Sequence, residues 1–235
     1  MKICYYRPVP NIYDSIHFPV TEYKIWIEPP QGGFFFEKMW YNKKKGAVIM
    51  KKLFCIIGPS GSGKSTYVRY AKKYNHFGEI ISTTTRTPRP GEVDGRDYHF
   101  VSLKQFDSIP MIEVDEYAGN KYGTAQRDLE NAYSENDSAF MVITYEGAQS
   151  FKKLFQEENL DIQVITIFIY TPIEELEKRM IKRGDDLNKV NERINNIRKR
   201  QEYQNKTKTD YVFEDDAHQS IEENCQRFVE FIQQI

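Results

Sequence analysis

Hydrophobic positions along this chain fall into short buried-type runs separated by segments with helical spacing. Leu53-Phe54-Cys55-Ile56-Ile57 is an unbroken apolar run, the pattern of a strand covered on both faces in a parallel sheet. A helix over 65–74 follows, then a short strand, Gly78-Glu79-Ile80-Ile81-Ser82. From Thr83 to Thr124 the pattern turns polar and irregular. Periodicity returns with a helix over 125–135, a strand at Ala139-Phe140-Met141-Val142-Ile143 and a helix over 146–158. Ile162 to Tyr170 reads as the next strand; Thr171 then suits an N-cap, with Pro172 at the first helical position. Arg183-Gly184-Asp185-Asp186 breaks that helix, and a charged helix runs from Leu187 to Tyr203. Asp210-Tyr211-Val212-Phe213 is a last strand, and Ser220 to Ile232 a last amphipathic helix. The alternation predicts an α/β fold, a parallel sheet wrapped by helices.

Residues 1–50 break this rhythm. They are rich in aromatic residues, and prolines at 8, 10, 19, 29 and 30 exclude long helices. Tyr23-Lys24-Ile25-Trp26-Ile27 and Phe34 to Trp40, joined through Pro29-Pro30-Gln31-Gly32-Gly33, suggest a small β-hairpin, so the segment reads as a short β-rich extension. Met50 stands directly before the first core strand and suits the start of such a domain, which makes 1–50 an appendage or an upstream extension.

Composition narrows the partners. Over 235 residues, 33 basic and 34 acidic side chains give a net charge of −1, so neither a nucleic-acid polymer nor an anionic membrane is the expected partner. Cys4, Cys55 and Cys225 have no metal-ligand spacing and fit a reducing compartment. The first residues lack a signal-peptide core, and the longest apolar strand is too short to span a bilayer; a cytoplasmic protein is expected.

The chemistry begins between the first strand and the first helix. Gly58-Pro59-Ser60-Gly61-Ser62-Gly63-Lys64-Ser65 fits the phosphate-binding loop G-x-x-x-x-G-K-[ST], followed by Thr66. Glycines let the backbone bend round a phosphate, its N–H groups point inward, and the helix adds its positive end. Lys64 is expected to reach the β- and γ-phosphates of ATP, and the Ser65 hydroxyl to hold Mg²⁺.

Downstream, Ser82-Thr83-Thr84-Thr85-Arg86-Thr87-Pro88-Arg89-Pro90-Gly91-Glu92-Val93-Asp94-Gly95-Arg96-Asp97-Tyr98-His99-Phe100 fits S-x-T-T-R-x-P-R-x-G-E-x-x-G-x-x-Y-x-F, and Glu113, Gly119 to Thr124, Gly147, Arg179, Arg183, Arg193 and Asp210 to Asp216 follow in order. With the P-loop, this set resembles the guanylate kinase family over about 53–235. The resemblance implies a P-loop NTPase-type core (51–82, 125–182 and 204–235), a small mixed GMP-binding subdomain (83–124) and a helical lid (183–203). It implies transfer of phosphate from ATP to GMP or dGMP by a monomer or homodimer. Arg86 and Arg89, with Tyr98 and Tyr122, would grip the acceptor phosphate. Glu113, Ser82, Gly123 and Thr124 would hold the guanine, whose N1–H and N2–H₂ donors match a carboxylate. Lid arginines Arg179, Arg183 and Arg193, with Lys64 and Arg86, would carry the transfer. Lys178 and Lys182 read as a solvated helix face.

The match has departures. The family's D-x-D after the Y-G-[ST] helix is replaced by Val142 and Thr144, and Glu214 stands where an Asn is usual. Two further readings therefore stay open: a kinase of another, modified nucleotide or small phosphate acceptor, and a catalytically weak binding module. The intact Gly63-Lys64-Ser65 distinguishes this chain from binding modules that lack it.

Overall fold

Leu53 to Ile57 are all buried, and the run they form is the middle strand of the larger of two sheets. The structure is a computed structural model that describes residues 50–74, 76–117 and 119–235; the hairpin expected within 1–50 lies outside the described residues. In chain order, β1 (Lys51–Ile57) leads into α1 (Lys64–Tyr74) and β2 (Gly78–Ile80). Then come β3 (Thr83–Thr84), β4 (His99–Phe100), α2 (Leu103–Phe106), β5 (Met111–Tyr117) and β6 (Asn120–Ala125). They are followed by α3 (Gln126–Ala132), β7 (Ser138–Val142), α4 (Tyr145–Glu157), β8 (Ile162–Tyr170), α5 (Ile173–Lys182) and α6 (Leu187–Lys199). A 3-10 turn, Glu202–Thr207, precedes β9 (Tyr211–Glu214) and α7 (Ile221–Gln233).

The first sheet has five strands in the order β2-β7-β1-β8-β9, every pairing parallel. One side of its core is an aromatic cluster, in which Phe54, Phe140 and Phe213 from the strands meet Tyr67 of α1 and Phe228 of α7. Burying each such ring contributes about 1.5–3 kcal/mol. The cluster clamps α1 and α7 on the sheet and so holds the loop before α1 against the strand ends. A smaller apolar cluster, Leu176, Met180, Val190, Ile194 and Ile197, joins α5 to α6. No helix among the described residues is long and apolar enough to cross a membrane.

Three local expectations are corrected. The stretch 83–124 is not irregular: it builds most of a second, four-stranded sheet in the order β4-β3-β6-β5. β3 and β4 have two residues each, too few to carry a period, and β5 turns Glu113 and Asp115 inward while Val114 is 54% exposed, the reverse of the usual polarity. The N-cap of α5 is Pro172 rather than Thr171, whose hydroxyl is taken by Asp215 at 3.1 Å. The helix read as reaching Tyr203 ends at Lys199, because Gln201 adopts a left-handed conformation (φ +52°) and the chain continues as a 3-10 turn. Ser220 caps α7 in a reciprocal capping box with Glu223.

Candidate active site

Between β1 and α1 the chain bends sharply, with Gly61 at φ +89° and Gly63 at φ +86°. Those backbone angles favour glycine, and a Cβ at Gly63 would also press on the Tyr67 ring at 3.1 Å. The carbonyl of Gly63 accepts from the N–H groups of Thr66 (2.8 Å) and Tyr67 (3.0 Å), so loop and helix start are one unit. Lys64 folds across the loop, its Nζ donating to the carbonyls of Gly58 (2.7 Å) and Pro59 (2.8 Å). Burial pushes its ammonium down to about 8, against the attraction of Glu202. The Ser62 hydroxyl is buried with no partner among the described residues, whereas Ser65 is exposed at the helix start.

This loop forms the floor of a cleft of about 880 Å³, a volume suited to small-molecule ligands. Gly58, Ser60, Gly61, Gly63, Lys64, Ser65 and Thr66 line it, as does Phe168 from β8. Pro59 and Ser62 are buried in the loop itself. The cleft opens past the C-terminal ends of β1, β7 and β8, the usual ligand position in a parallel α/β sheet.

The second sheet supplies the facing wall through Ser82, Arg89, Tyr98, Glu113, Tyr122 and Gly123. Arg89 is crowded by cations: burial first, then Arg86 and Arg193, hold its guanidinium below the ordinary arginine range, and its Nε is buried without a partner among the described residues. This is an anion-ready position. Arg86 is not part of the wall. Its guanidinium makes a bidentate pair with Glu92 (2.9 and 3.0 Å) and stacks over the rings of Tyr98 (5.3 Å) and Phe100 (5.6 Å). Glu92 also accepts from the backbone N–H of Arg89 at 2.7 Å, so one carboxylate sets both arginines.

Deeper in the cleft, Glu113 is pushed up to about 7, by burial and then by the neighbouring Asp115. The Thr124 hydroxyl, buried behind the wall, donates to its Oε2 at 3.4 Å. Gly147 lies beneath this carboxyl; a Cβ there would stand 3.0 Å from Oε1. The two departures from D-x-D now have structural descriptions. Val142 is an apolar patch of cleft wall, and Thr144 caps α4 by accepting from Gly147 N–H at 3.1 Å. Threonine caps nearly as well as aspartate, so the helix start is kept while the charge is lost. Carboxylates in this part of the cleft come from β5, as Glu113 and Asp115, and from the start of α4, as Glu146.

From the third side, Arg179 and Arg183 reach the cleft. Arg183 pairs with Asp185 at 2.6 Å, and Arg193 pairs with the same carboxylate from outside the wall. Burial opposes ionisation of Asp185, but the two arginines hold its carboxyl below the usual range. Lys182 is exposed, and Lys178 is exposed with a 4.0 Å contact to Glu175. Glu214 is occupied by Lys206 at 2.7 Å.

Most of the residues singled out from sequence thus border one cleft, with Arg86, Thr124 and Arg193 one layer back. Several acidic residues at the cleft or behind it carry no role in the sequence reading. Asp115 was recoverable, since it is two residues from Glu113 and shares its strand face. Glu92 and Asp215 lay inside the matched segments but had no assigned task. Glu202, which accepts from the Tyr117 hydroxyl at 3.3 Å and faces the cleft, was hidden by the unforeseen helix end at Gln201.

Known proteins resemble this chain over most of its described length. The guanylate kinase family model matches residues 50–235. A guanylate kinase from Shewanella denitrificans is 40% identical over 145 residues, which are 59% of this chain and 67% of that protein. One from Bartonella henselae is 35% identical over 189 residues, 78% of this chain and 79% of its own. The crystal structure of guanylate kinase from Anaplasma phagocytophilum aligns with a TM-score of 0.57 at 26% identity, covering 79% of this chain and 86% of that one.

Proposed function

The chain belongs to the guanylate kinase family, and from that premise we propose that it transfers the γ-phosphoryl group of ATP to the phosphate of GMP, giving ADP and GDP. The observation that carries this is the pairing of a phosphate-binding loop with a guanine-type carboxylate, Glu113, across a single cleft. An oxygen of the GMP phosphate attacks the γ-phosphorus, and the bond to the β–γ bridging oxygen breaks as ADP leaves. No protein group bonds covalently, so the residues act by position and charge.

Lys64 and the loop N–H groups hold the β- and γ-phosphates. Arg89, Tyr98 and Tyr122 take the acceptor phosphate. Arg86 lies behind them, fixed on Glu92. Ser82, Glu113 and Gly123 surround the base with Thr124 behind Glu113, and Arg179 and Arg183 cover the phosphates while Arg193 steadies Asp185. The Ser65 hydroxyl is exposed to the cleft, and the carboxylates of Glu146 and Glu202 border the same space. Those oxygen donors fit Mg²⁺ that keeps much of its water. When bound, Mg²⁺ supplies neutralisation of the β- and γ-oxygens, and Ser65 would hold it. Residues 51–82, 125–182 and 204–235 then form the catalytic core, 83–124 the acceptor subdomain and 183–203 the lid. Buried, unpaired Cys55 and Cys225 favour a reducing compartment such as the cytoplasm.

Glu113 accepts from both guanine N1–H and N2–H only when ionised, since the neutral acid turns one of its two oxygens into a donor. Its carboxyl titrates at about 7, so it is mostly charged at pH 8 and mostly neutral at pH 6. GMP affinity should therefore be about tenfold weaker at pH 6 than at pH 8. Calorimetric titration of wild type and Glu113→Gln separates this from the ionisation of GMP's own phosphate, which both proteins share. Equal pH slopes in the two would remove Glu113 from base recognition, and AMP binding as tight as GMP would remove the guanine assignment.

A further inference from the structure

The carboxylate of Asp215, just past β9, has a side chain that is 0% exposed, yet three side chains from three other segments converge on it. The Tyr67 hydroxyl of α1 donates to Oδ1 at 2.8 Å. The Thr171 hydroxyl, after β8, donates to Oδ2 at 3.1 Å. Arg179 of α5 reaches Oδ2 through Nη1 at 2.5 Å. The backbone N–H of Asp215 is also held, by the carbonyl of Tyr170 at 3.0 Å. A buried charge is stable only when matched and fully hydrogen-bonded, and this one is.

Both outer ends of this network touch the site. Tyr67 lies under the phosphate-binding loop, its N–H on the Gly63 carbonyl at 3.0 Å and its ring against Gly63. Arg179 borders the cleft. Its Nε is held by Glu175 at 3.2 Å and its Nη1 by Asp215, so the guanidinium plane is pinned at two corners, and Nη2 makes no bond among the described residues. Arg183 and Arg193 differ: they share Asp185, in the turn between α5 and α6, and make no hydrogen bond or ion pair to the sheet core among the described residues.

We propose that Asp215 is a positioning residue for phosphoryl transfer, fixing Arg179 in the cleft wall in register with the phosphate-binding loop through Tyr67. Arg179 is then a core arginine, oriented before nucleotide arrives, while Arg183 and Arg193 travel with the lid. A preoriented cation needs no reorganisation as charge shifts in the transition state, so its anchor should act on kcat rather than on substrate binding. The inference rests on the proposed action of Arg179 on the phosphates.

The test is a cycle of Asp215→Asn, Arg179→Lys and the double variant, reading kcat and KM for ATP and GMP. Asp215→Asn should lower kcat about tenfold or more with KM for GMP within about twofold. In the Arg179→Lys background the same substitution should cost less than about twofold, because no guanidinium remains to be placed. A full, additive loss in that background overturns the inference and leaves the function standing. Wild-type kcat in Arg179→Lys alone overturns the role of Arg179 and the inference with it. If Asp215→Asn does not fold, Tyr67→Phe enters the same cycle: it keeps the ring under Gly63 and removes only the bond to Oδ1. It should lower kcat a few-fold in wild type and not in Arg179→Lys; equal losses in both would overturn the inference.

Discussion

Lys64→Ala should abolish transfer of phosphate to GMP while leaving the protein folded. In the structure the ammonium of Lys64 lies across its own loop, bonded to the carbonyls of Gly58 and Pro59. Those contacts hold the lysine at the cleft floor, where it can swing to a phosphate. Arg89, Arg179 and Arg183 approach the cleft from the other two sides. Removing a preorganised charge from a transition state of this kind costs on the order of 10²–10³ in rate. In the proposed role Lys64 acts on both the β- and γ-phosphates, so the upper end is expected. The fold should tolerate the change well. Burial already holds Lys64 down to about 8, which means that its charge is a cost to the empty protein. The melting temperature of Lys64→Ala should therefore equal or exceed that of wild type without nucleotide, and the stabilisation by ATP should be lost. ADP release and thermal melts with and without ATP check this. Retention of more than a tenth of the wild-type rate would contradict the assignment of the loop.

Glu113→Gln should have the next largest effect, and on selectivity rather than on the phosphates. An ionised Glu113 offers two acceptor oxygens to guanine, which presents N1–H and N2–H donors. Glutamine keeps one acceptor and sets an NH₂ against a donor. A charge-assisted hydrogen bond contributes about 1.5–3 kcal/mol, and a buried donor left facing another donor adds a penalty of similar size. A fall of about 10²–10³ in kcat/KM for GMP follows, with KM for ATP little changed. No carboxylate stands at 142 or 144 to share the task, since Val142 is apolar and Thr144 is occupied in capping α4. The parallel measurement is kcat/KM for GMP and AMP in both proteins. The ratio between the two acceptors should collapse in Glu113→Gln, and an unchanged ratio would place base recognition elsewhere.

The parts of this chain with strong periods were readable in advance. β8 starts and stops where its apolar run does, from Ile162 to Tyr170, and the loop before α1 announced itself by its glycines. Parallel strands buried on both faces leave an unbroken apolar signature. The acceptor sheet had no such signature. Two of its strands are two residues long, and β5 has no alternating apolar face because Glu113 and Asp115 line the cleft rather than a core. Tertiary demand also overrode local rules. Thr171 is a good cap by residue type, yet its hydroxyl serves the buried Asp215. Gln201 turns left-handed without being glycine, a conformation that residue type does not announce, and this brings Glu202 to the cleft. The residues proposed to grip phosphate stand in the sequence as an ordered motif, but the motif could not say that Arg86 would be held back on Glu92 or that Arg193 would stand behind the wall.

The most direct measurement is of products: the full chain incubated with ATP, Mg²⁺ and, in separate reactions, GMP, dGMP, AMP, CMP, UMP or dTMP, with both nucleotide products quantified. The expected result is ADP and GDP formed one for one from ATP and GMP, with no more than background ADP from the adenine and pyrimidine acceptors. ADP release with none of these acceptors, or equal release with AMP and GMP, would contradict the assignment of this cleft to guanylate phosphorylation.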